Sequence, residues 1–147
     1  MRYISGSITA LILTAFFVSG ASAYIITISA PDSVFVGTPL VVIGSTTFPE
    51  DTYFDLVLYY SKYTAGEMKR QKVIVDKSKQ FRSEFETRGL EKGQYKVEIH
   101  NIVSGGDSFV EKELGSASVT RRVVQLIDRS DEIVMDSPGE QNLSAAL

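Results

Sequence analysis

Polar and apolar residues alternate along several short segments of the chain, and the clearest alternation follows the turn residues Lys92-Gly93. The apolar side of this segment holds Tyr95, Val97 and Ile99. The polar side holds Gln94, Lys96, Glu98 and His100. Successive side chains of a β-strand point to opposite faces, so one side can be buried while the other meets water. The pattern predicts a half-buried strand.

The same alternation recurs between clusters of turn residues, and no helical period appears beyond the N-terminal region. The predicted strands are Ile25 to Ala30, Leu40 to Thr47, Phe54 to Ser61, Met68 to Val75, Gln80 to Thr87, Gln94 to Asn101 and Ala117 to Ile127. Gly105-Gly106 is interpreted as a hairpin turn. The last strand loses its alternation near Arg121-Arg122, which a bulge or a change of sheet would explain. Short strands at this spacing predict an all-β, seven-stranded antiparallel β-sandwich.

The N-terminal segment has the features of a secretory signal. Arg2 precedes an apolar run from Ile8 to Val18, and small residues follow up to Ala23. This predicts a signal helix in residues 1–23 with cleavage after Ala23, so that the mature chain starts at Tyr24. The alternative is an uncleaved membrane anchor formed by residues 4–22, because no charged residue occurs between Tyr3 and Ala30.

The predicted sandwich occupies residues 24–127, a length that suits one domain. Residues 128–147 combine five acids with one arginine and a Ser-Pro-Gly break. This composition predicts a flexible acidic tail, or else the start of a following domain that is truncated. Asn142-Leu143-Ser144 is a sequon and predicts N-glycosylation at Asn142 in an exported chain.

Two segments resemble the immunoglobulin-like and fibronectin type III-like modules of secreted and cell-surface proteins, of the kind found in methanogenic archaea. The first is "ISAPDSVFVGTPLVVIGST", and the second is "LEKGQYKVEI". The second resembles a tyrosine corner, with Gly93 in the turn, Tyr95 as the corner residue and Val97 where antibody domains place a cysteine. The resemblance implies an immunoglobulin-like sandwich in which the Tyr95 hydroxyl binds backbone in the preceding corner.

Candidate chemistry for catalysis is sparse. The chain has no cysteine and one histidine, His100, which the alternation places on a wetted face beside Glu98. Carboxylates occur in pairs but lack the spacing of a calcium loop. The carboxylate groups are Glu50-Asp51 with Asp55, Glu111 with Glu113, and Asp131-Glu132. We therefore expect no catalytic residue, no cofactor and no metal site.

Positive charge is concentrated in one part of a chain whose formal net charge is −3. A candidate basic patch consists of Lys62, Lys69, Arg70, Lys72, Lys77, Lys79 and Arg82. The structural interpretation is that these residues form the solvent-exposed face and the turns of two strands, or a charged edge that discourages strand pairing. The functional interpretation is a patch that binds an acidic envelope polysaccharide or the acidic tail of a neighbouring copy. The mildly acidic chain gives no reason to expect nucleic acid as a partner.

These expectations together describe a non-catalytic, secreted or cell-surface module that serves binding, adhesion or assembly in the cell envelope. Its partner would be an envelope protein, an acidic polysaccharide or a second copy of the chain. The alternative is a membrane-tethered ectodomain that acts as an accessory subunit of a larger membrane or pilus machine. In that alternative the contact with the membrane is made only by the uncleaved N-terminal segment.

Overall fold

A computed structural model describes residues 23–61 and 66–130, and these residues form nine strands and one 3₁₀-helix, Glu111–Glu113. The strands are β1 Ile26–Ser29, β2 Ser33–Phe35, β3 Leu40–Thr46, β4 Tyr53–Tyr60, β5 Gly66–Ile74, β6 Gln80–Phe85, β7 Gly93–Ser104, β8 Asp107–Phe109 and β9 Arg121–Ile127. Within these ranges there is no helix with the length and apolar character needed to cross a membrane.

The strands form two sheets that face each other as a β-sandwich. One sheet has three strands in the order β1-β3-β6, and the other has the order β2-β9-β7-β4-β5 with β8 paired to β7. All pairs between named strands are antiparallel except β2 with β9. The strand β7 lies at the centre of the larger sheet, and its sequence alternates because one of its faces is buried against the other sheet while the opposite face points outward.

Apolar side chains from the two inner faces form the core, as the alternation predicts. Ile26, Ile28, Leu40, Val42, Phe54, Leu56, Leu58, Phe85, Val97, Val124 and Leu126 are all buried. Burial of each such side chain contributes roughly 1.5–3 kcal/mol to folding relative to exposure. With no cysteine in the chain, apolar packing takes the place of a disulfide.

Polar side chains close the two open sides of the sandwich. At the side of β5 and β6, the Ser83 hydroxyl donates to the side-chain oxygen of Gln71, whose amide donates to the backbone carbonyl of Glu84. At the opposite side, Arg122 Nε donates to the Ile28 carbonyl at 3.0 Å. These side-chain contacts connect the two sheets at both open sides of the sandwich.

The tyrosine at the start of β7 lies in a corner. The Tyr95 hydroxyl donates to the Glu91 carbonyl at 2.7 Å, and the residue is 1% exposed. Its ring lies 4.9 Å from the ring of Tyr60. Gly93 adopts a φ of +144° and lies under the Tyr60 ring, where a side chain would be both strained and crowded.

The strand count differs from the prediction of seven. The two additional strands, β2 and β8, have three residues each, too few for alternation to be recognised. Gly105 and Gly106 have φ values of +58° and +86°, which suit the tight turn that leads from β7 into β8. The predicted signal helix, apart from Ala23, and the part of the acidic tail from Asp131 onward lie outside the described residues.

The predicted last strand, Ala117 to Ile127, divides between the two sheets. The Val119 backbone exchanges hydrogen bonds with β1, at 3.0 Å to Ile28 and 2.9 Å to Ile26. The next residue, Thr120, already accepts from Ile99 of β7 at 3.0 Å. The chain therefore changes sheet between Val119 and Thr120. The alternation fails at Arg122 because this residue has the parity of the buried Val124 but extends to the Ile28 carbonyl at the side of the sandwich.

Candidate functional site

The outward face of the six-stranded sheet carries most of the ion pairs of the described residues, together with contacts between cations and tyrosine rings. We call it the charged face, and it comprises Tyr53, Asp55, Val57, Tyr59, Glu67, Arg70, Lys72, Ile74, Lys96, Glu98, His100, Arg121, Val123 and Gln125. All of these residues are half-buried or exposed apart from Val57. Strand pairing arranges them in rows that run across the strands.

The middle row contains an apolar residue that is completely covered. Val57 pairs with Arg70 on one neighbouring strand and with Glu98 on the other, and Glu98 in turn pairs with Arg121. Val57 has no exposed surface. Because the stems of long charged side chains can cover apolar surface, this row forms a polar layer above the sheet.

Asp55 is the acceptor of one cluster on this face. Its Oδ2 accepts hydrogen bonds from Arg70 Nη1 at 2.7 Å and from Asn101 Nδ2 at 2.8 Å. Arg70 also binds both carboxylate oxygens of Glu67 at 2.8 Å. Burial alone would raise the pKa of Asp55, but the hydrogen bonds from Asn101 and Arg70 outweigh it and lower the pKa.

Glu98 lies at the centre of a second cluster, among three basic side chains. Its Oε1 lies 3.1 Å from Lys96 Nζ and 2.8 Å from Arg121 Nε, and its Oε2 lies 3.0 Å from His100 Nε2. Burial acts to raise the pKa of Glu98, and the contacts with these bases lower it overall. The carboxylate is thus held in its ionised form.

The aromatic side chains of the charged face contact cations or the histidine. Lys72 Nζ lies 4.2 Å from the centre of the Tyr53 ring, and Lys96 Nζ lies 5.4 Å from that of Tyr59. The Tyr59 hydroxyl is 3.2 Å from His100 Nε2. These contacts limit the rotamers of the long side chains.

A groove of about 710 Å³ opens beside the two clusters. It lies between the charged face and the chain from the end of β8 onward, with Phe109, Val110 and Leu114 along one wall. Asn101 lines it with a φ of +53°, at the register shift between β4 and β7. Bulges of this kind re-aim side chains, and here the bulge directs the Asn101 amide to Asp55.

The residues of the predicted basic patch do not form one surface. Arg70 and Lys72 lie on the charged face, whereas Lys69, on the same strand, has the opposite parity. Lys77 and Lys79 lie in the turn between β5 and β6, where Lys79 Nζ donates to the Phe48 carbonyl at 2.7 Å. Arg82 lies on the outward face of the three-stranded sheet, 2.6 Å from Glu84. Lys62, like the predicted glycosylation site Asn142, is outside the described residues.

The physical reason for this separation is the fold itself. The patch was defined on consecutive strands, β5 and β6, but these strands belong to different sheets. The partners Asp55 and Asn101 are not basic and so fall outside a patch defined by positive charge, and Arg121 lies in β9, far from the patch in sequence. Alternation places Asp55 on an outward face, but it places Asn101 on the side of Tyr95, Val97 and Ile99, and the register shift between β4 and β7 turns it toward Asp55. The pairing of β7 with β9 brings Arg121 next to Glu98.

The described residues hold no cluster of three or more His, Cys, Asp or Glu side chains that could bind a metal ion. His100 is placed beside Glu98 and Tyr59, and neither Ser nor Thr is among its hydrogen-bond partners. The arrangement is one of mutual charge pairing on a sheet surface.

No family model and no curated protein matches the sequence. Among solved structures, the chain is similar to the CARDB domain of a Pyrococcus furiosus protein, which was solved in complex with di-metal ions. The identity is 12%, the match covers 70% of this chain and 83% of that one, and the TM-score is 0.40. The described residues of this chain are all-β and form two sheets.

Proposed function

We propose that this chain is a non-catalytic, exported binding or assembly module of the cell envelope, and that it contacts a protein partner through the charged face. The observation that carries the proposal is the paired layer of charged and aromatic side chains above Val57. Such a layer holds donors and acceptors in fixed positions before any partner arrives. Preorganisation of this kind lowers the entropic cost of binding.

The strand arrangement supports the proposal that the sandwich is of the immunoglobulin-like kind, which suits the proposed role. The first part of the chain contributes β1 to one sheet and β2 to the other, and β7 and β9 lie side by side in the larger sheet. The hydrogen bond from Tyr95 to the corner before β7 adds the tyrosine corner of that family. Sandwiches of this topology present sheet faces and loops for recognition.

The charge arrangement favours a folded protein over an acidic polymer as the partner. Each acid of the charged face already contacts a base, and Arg70 is bound by two carboxylates. A polyanion binds most tightly to a surface of unpaired positive charge. A surface that carries charges of both signs is instead complementary to a folded protein with the opposite arrangement of charges. Val123 and Ile74, 51% and 64% exposed, add apolar contact area near two borders of the face.

The proposal is tested with the purified chain and envelopes isolated from the source cells. We expect saturable binding that is lost when the envelopes are treated with protease and kept when their polysaccharide is degraded. Binding that survives protease treatment and disappears with the polysaccharide would overturn the choice of a protein partner. Absence of saturable binding to any envelope preparation would overturn the proposed function.

A further inference from the structure

Tyr24, the residue that directly follows the predicted cleavage site, already contacts the sandwich through its ring and its backbone. The Tyr24 ring stacks on Phe48 with 4.2 Å between ring centres, and Phe109 packs edge-on at 5.7 Å from Tyr24. The Tyr24 carbonyl accepts a hydrogen bond from Gly115 at 2.7 Å. Ala23, one residue earlier, is exposed. No spacer therefore separates the predicted signal segment from the sandwich.

The next two residues, Ile25 and Ile26, are fixed by backbone hydrogen bonds and by burial. The Ile25 backbone N–H donates to Thr47 Oγ1 at 2.8 Å, and its carbonyl accepts from the Thr47 N–H at 2.9 Å and from Thr46 Oγ1 at 3.0 Å. Ile26 belongs to β1 and has no exposed surface. To detach these residues, the aromatic stack must separate and the first strand must leave the sheet.

A peptidase that cuts after Ala23 needs the chain on both sides of the bond in an extended, accessible form. Folded segments reach such a form only by local unfolding, and cleavage is slowed by the fraction of time spent closed. In the nascent chain, by contrast, Tyr24 has not yet found Phe48. The accessibility of the bond thus depends on whether folding has occurred.

We infer that the Ala23-Tyr24 bond is a processing site that is open to a signal-type peptidase before the sandwich folds and closed afterwards. The reaction is hydrolysis, in which water adds across the peptide bond to leave a carboxylate on Ala23 and an amino group on Tyr24. The inference rests on the export that forms part of the proposed function. Docking of Tyr24 then decides between two forms of the chain. Cleavage before docking releases the sandwich, and docking before cleavage leaves it tethered by the uncleaved N-terminal segment.

The test uses the folded full-length precursor in detergent with a purified signal peptidase, and intact mass spectrometry follows cleavage. A variant with a four-residue Gly-Ser spacer between Ala23 and Tyr24 keeps the small residues that the peptidase reads and moves the bond away from the fold. We expect the native precursor to be cut at least about tenfold more slowly than the spacer variant. Equal rates, or no cleavage of the spacer variant, would overturn the inference.

A matched pair of variants separates local undocking from general destabilisation. Phe48 and Phe54 are both fully buried, but only Phe48 stacks on Tyr24, whereas Phe54 contacts Phe81. Phe48→Leu should accelerate cleavage several-fold, and Phe54→Leu should leave the rate near that of the native precursor. Equal acceleration by both variants would contradict docking as the protective step. The cleavage assay does not depend on envelope binding, so the proposed function and this inference can fail independently.

Discussion

At the scale of the residue, Tyr95 offers a direct test of the corner. Tyr95→Phe removes the 2.7 Å hydrogen bond to Glu91 and keeps the ring contact with Tyr60. We expect a loss of about 1 kcal/mol in the free energy of unfolding, measured by thermal or urea denaturation. Tyr53→Phe removes a hydroxyl from the charged face and should change the stability by less than about 0.5 kcal/mol. An unchanged stability in Tyr95→Phe would show that the corner hydrogen bond does not stabilise the fold.

Gly44 is a second residue whose role follows from its surroundings. A β-carbon at this position would overlap both the Phe81 ring and the Thr27 carbonyl. Gly44→Ala should therefore cost about 1–3 kcal/mol in the free energy of unfolding. Adding Phe81→Leu should not restore stability, because the carbonyl of β1 stays in place. Full recovery of stability in the double variant would show that the Phe81 side chain alone excludes a β-carbon at position 44.

At the scale of the element, the strands of the charged face are linked through Glu98. Its pKa is lower in the folded chain than in the unfolded one, so its ionised form stabilises the fold. This contribution is complete above the pKa of an unfolded glutamate, about 4.3, and is lost as the pH falls through the lower folded value. We expect the melting temperature to fall less between about pH 5 and pH 3 in Glu98→Gln than in the native chain.

The control for this pH dependence is Glu84→Gln, which removes an ion pair with Arg82 from the outward face of the other sheet. Exposed pairs of this kind contribute little to stability. The control should therefore show the same acid dependence as the native chain. If Glu98→Gln and Glu84→Gln behaved alike, the charge cluster around Glu98 would have no special part in the stability of the sheet.

The elements also show what the sequence could and could not predict. All seven predicted strands overlap strands of the structure, because each has an inner face long enough for alternation to be recognised. β2 and β8 were missed because three residues carry too little pattern. The charge clusters were missed for a different reason. Asp55 is 15 residues from Arg70 and 46 from Asn101, and only the strand register makes them neighbours.

At the scale of the whole molecule, the charge pairing predicts how binding responds to salt. Each acid of the charged face contacts a base, so little long-range attraction remains to be screened. We expect the affinity for isolated envelopes to change less than about tenfold between 0.05 and 0.5 M salt. Self-association through the basic residues and the acidic tail would instead weaken steeply with salt. A steep loss of affinity would favour that contact or an acidic polymer.

The most direct measurement compares two substitutions on opposite faces of the sandwich. Val123 lies on the charged face and Ile43 on the outward face of the three-stranded sheet, and they are 51% and 52% exposed. Val123→Arg and Ile43→Arg therefore introduce the same group at matched positions, with little expected effect on stability. Binding of both variants to isolated envelopes is measured alongside their melting temperatures. We expect Val123→Arg to weaken binding at least about tenfold and Ile43→Arg to bind like the native chain. Equal binding by the two variants, or a loss confined to Ile43→Arg, would contradict a contact through the charged face.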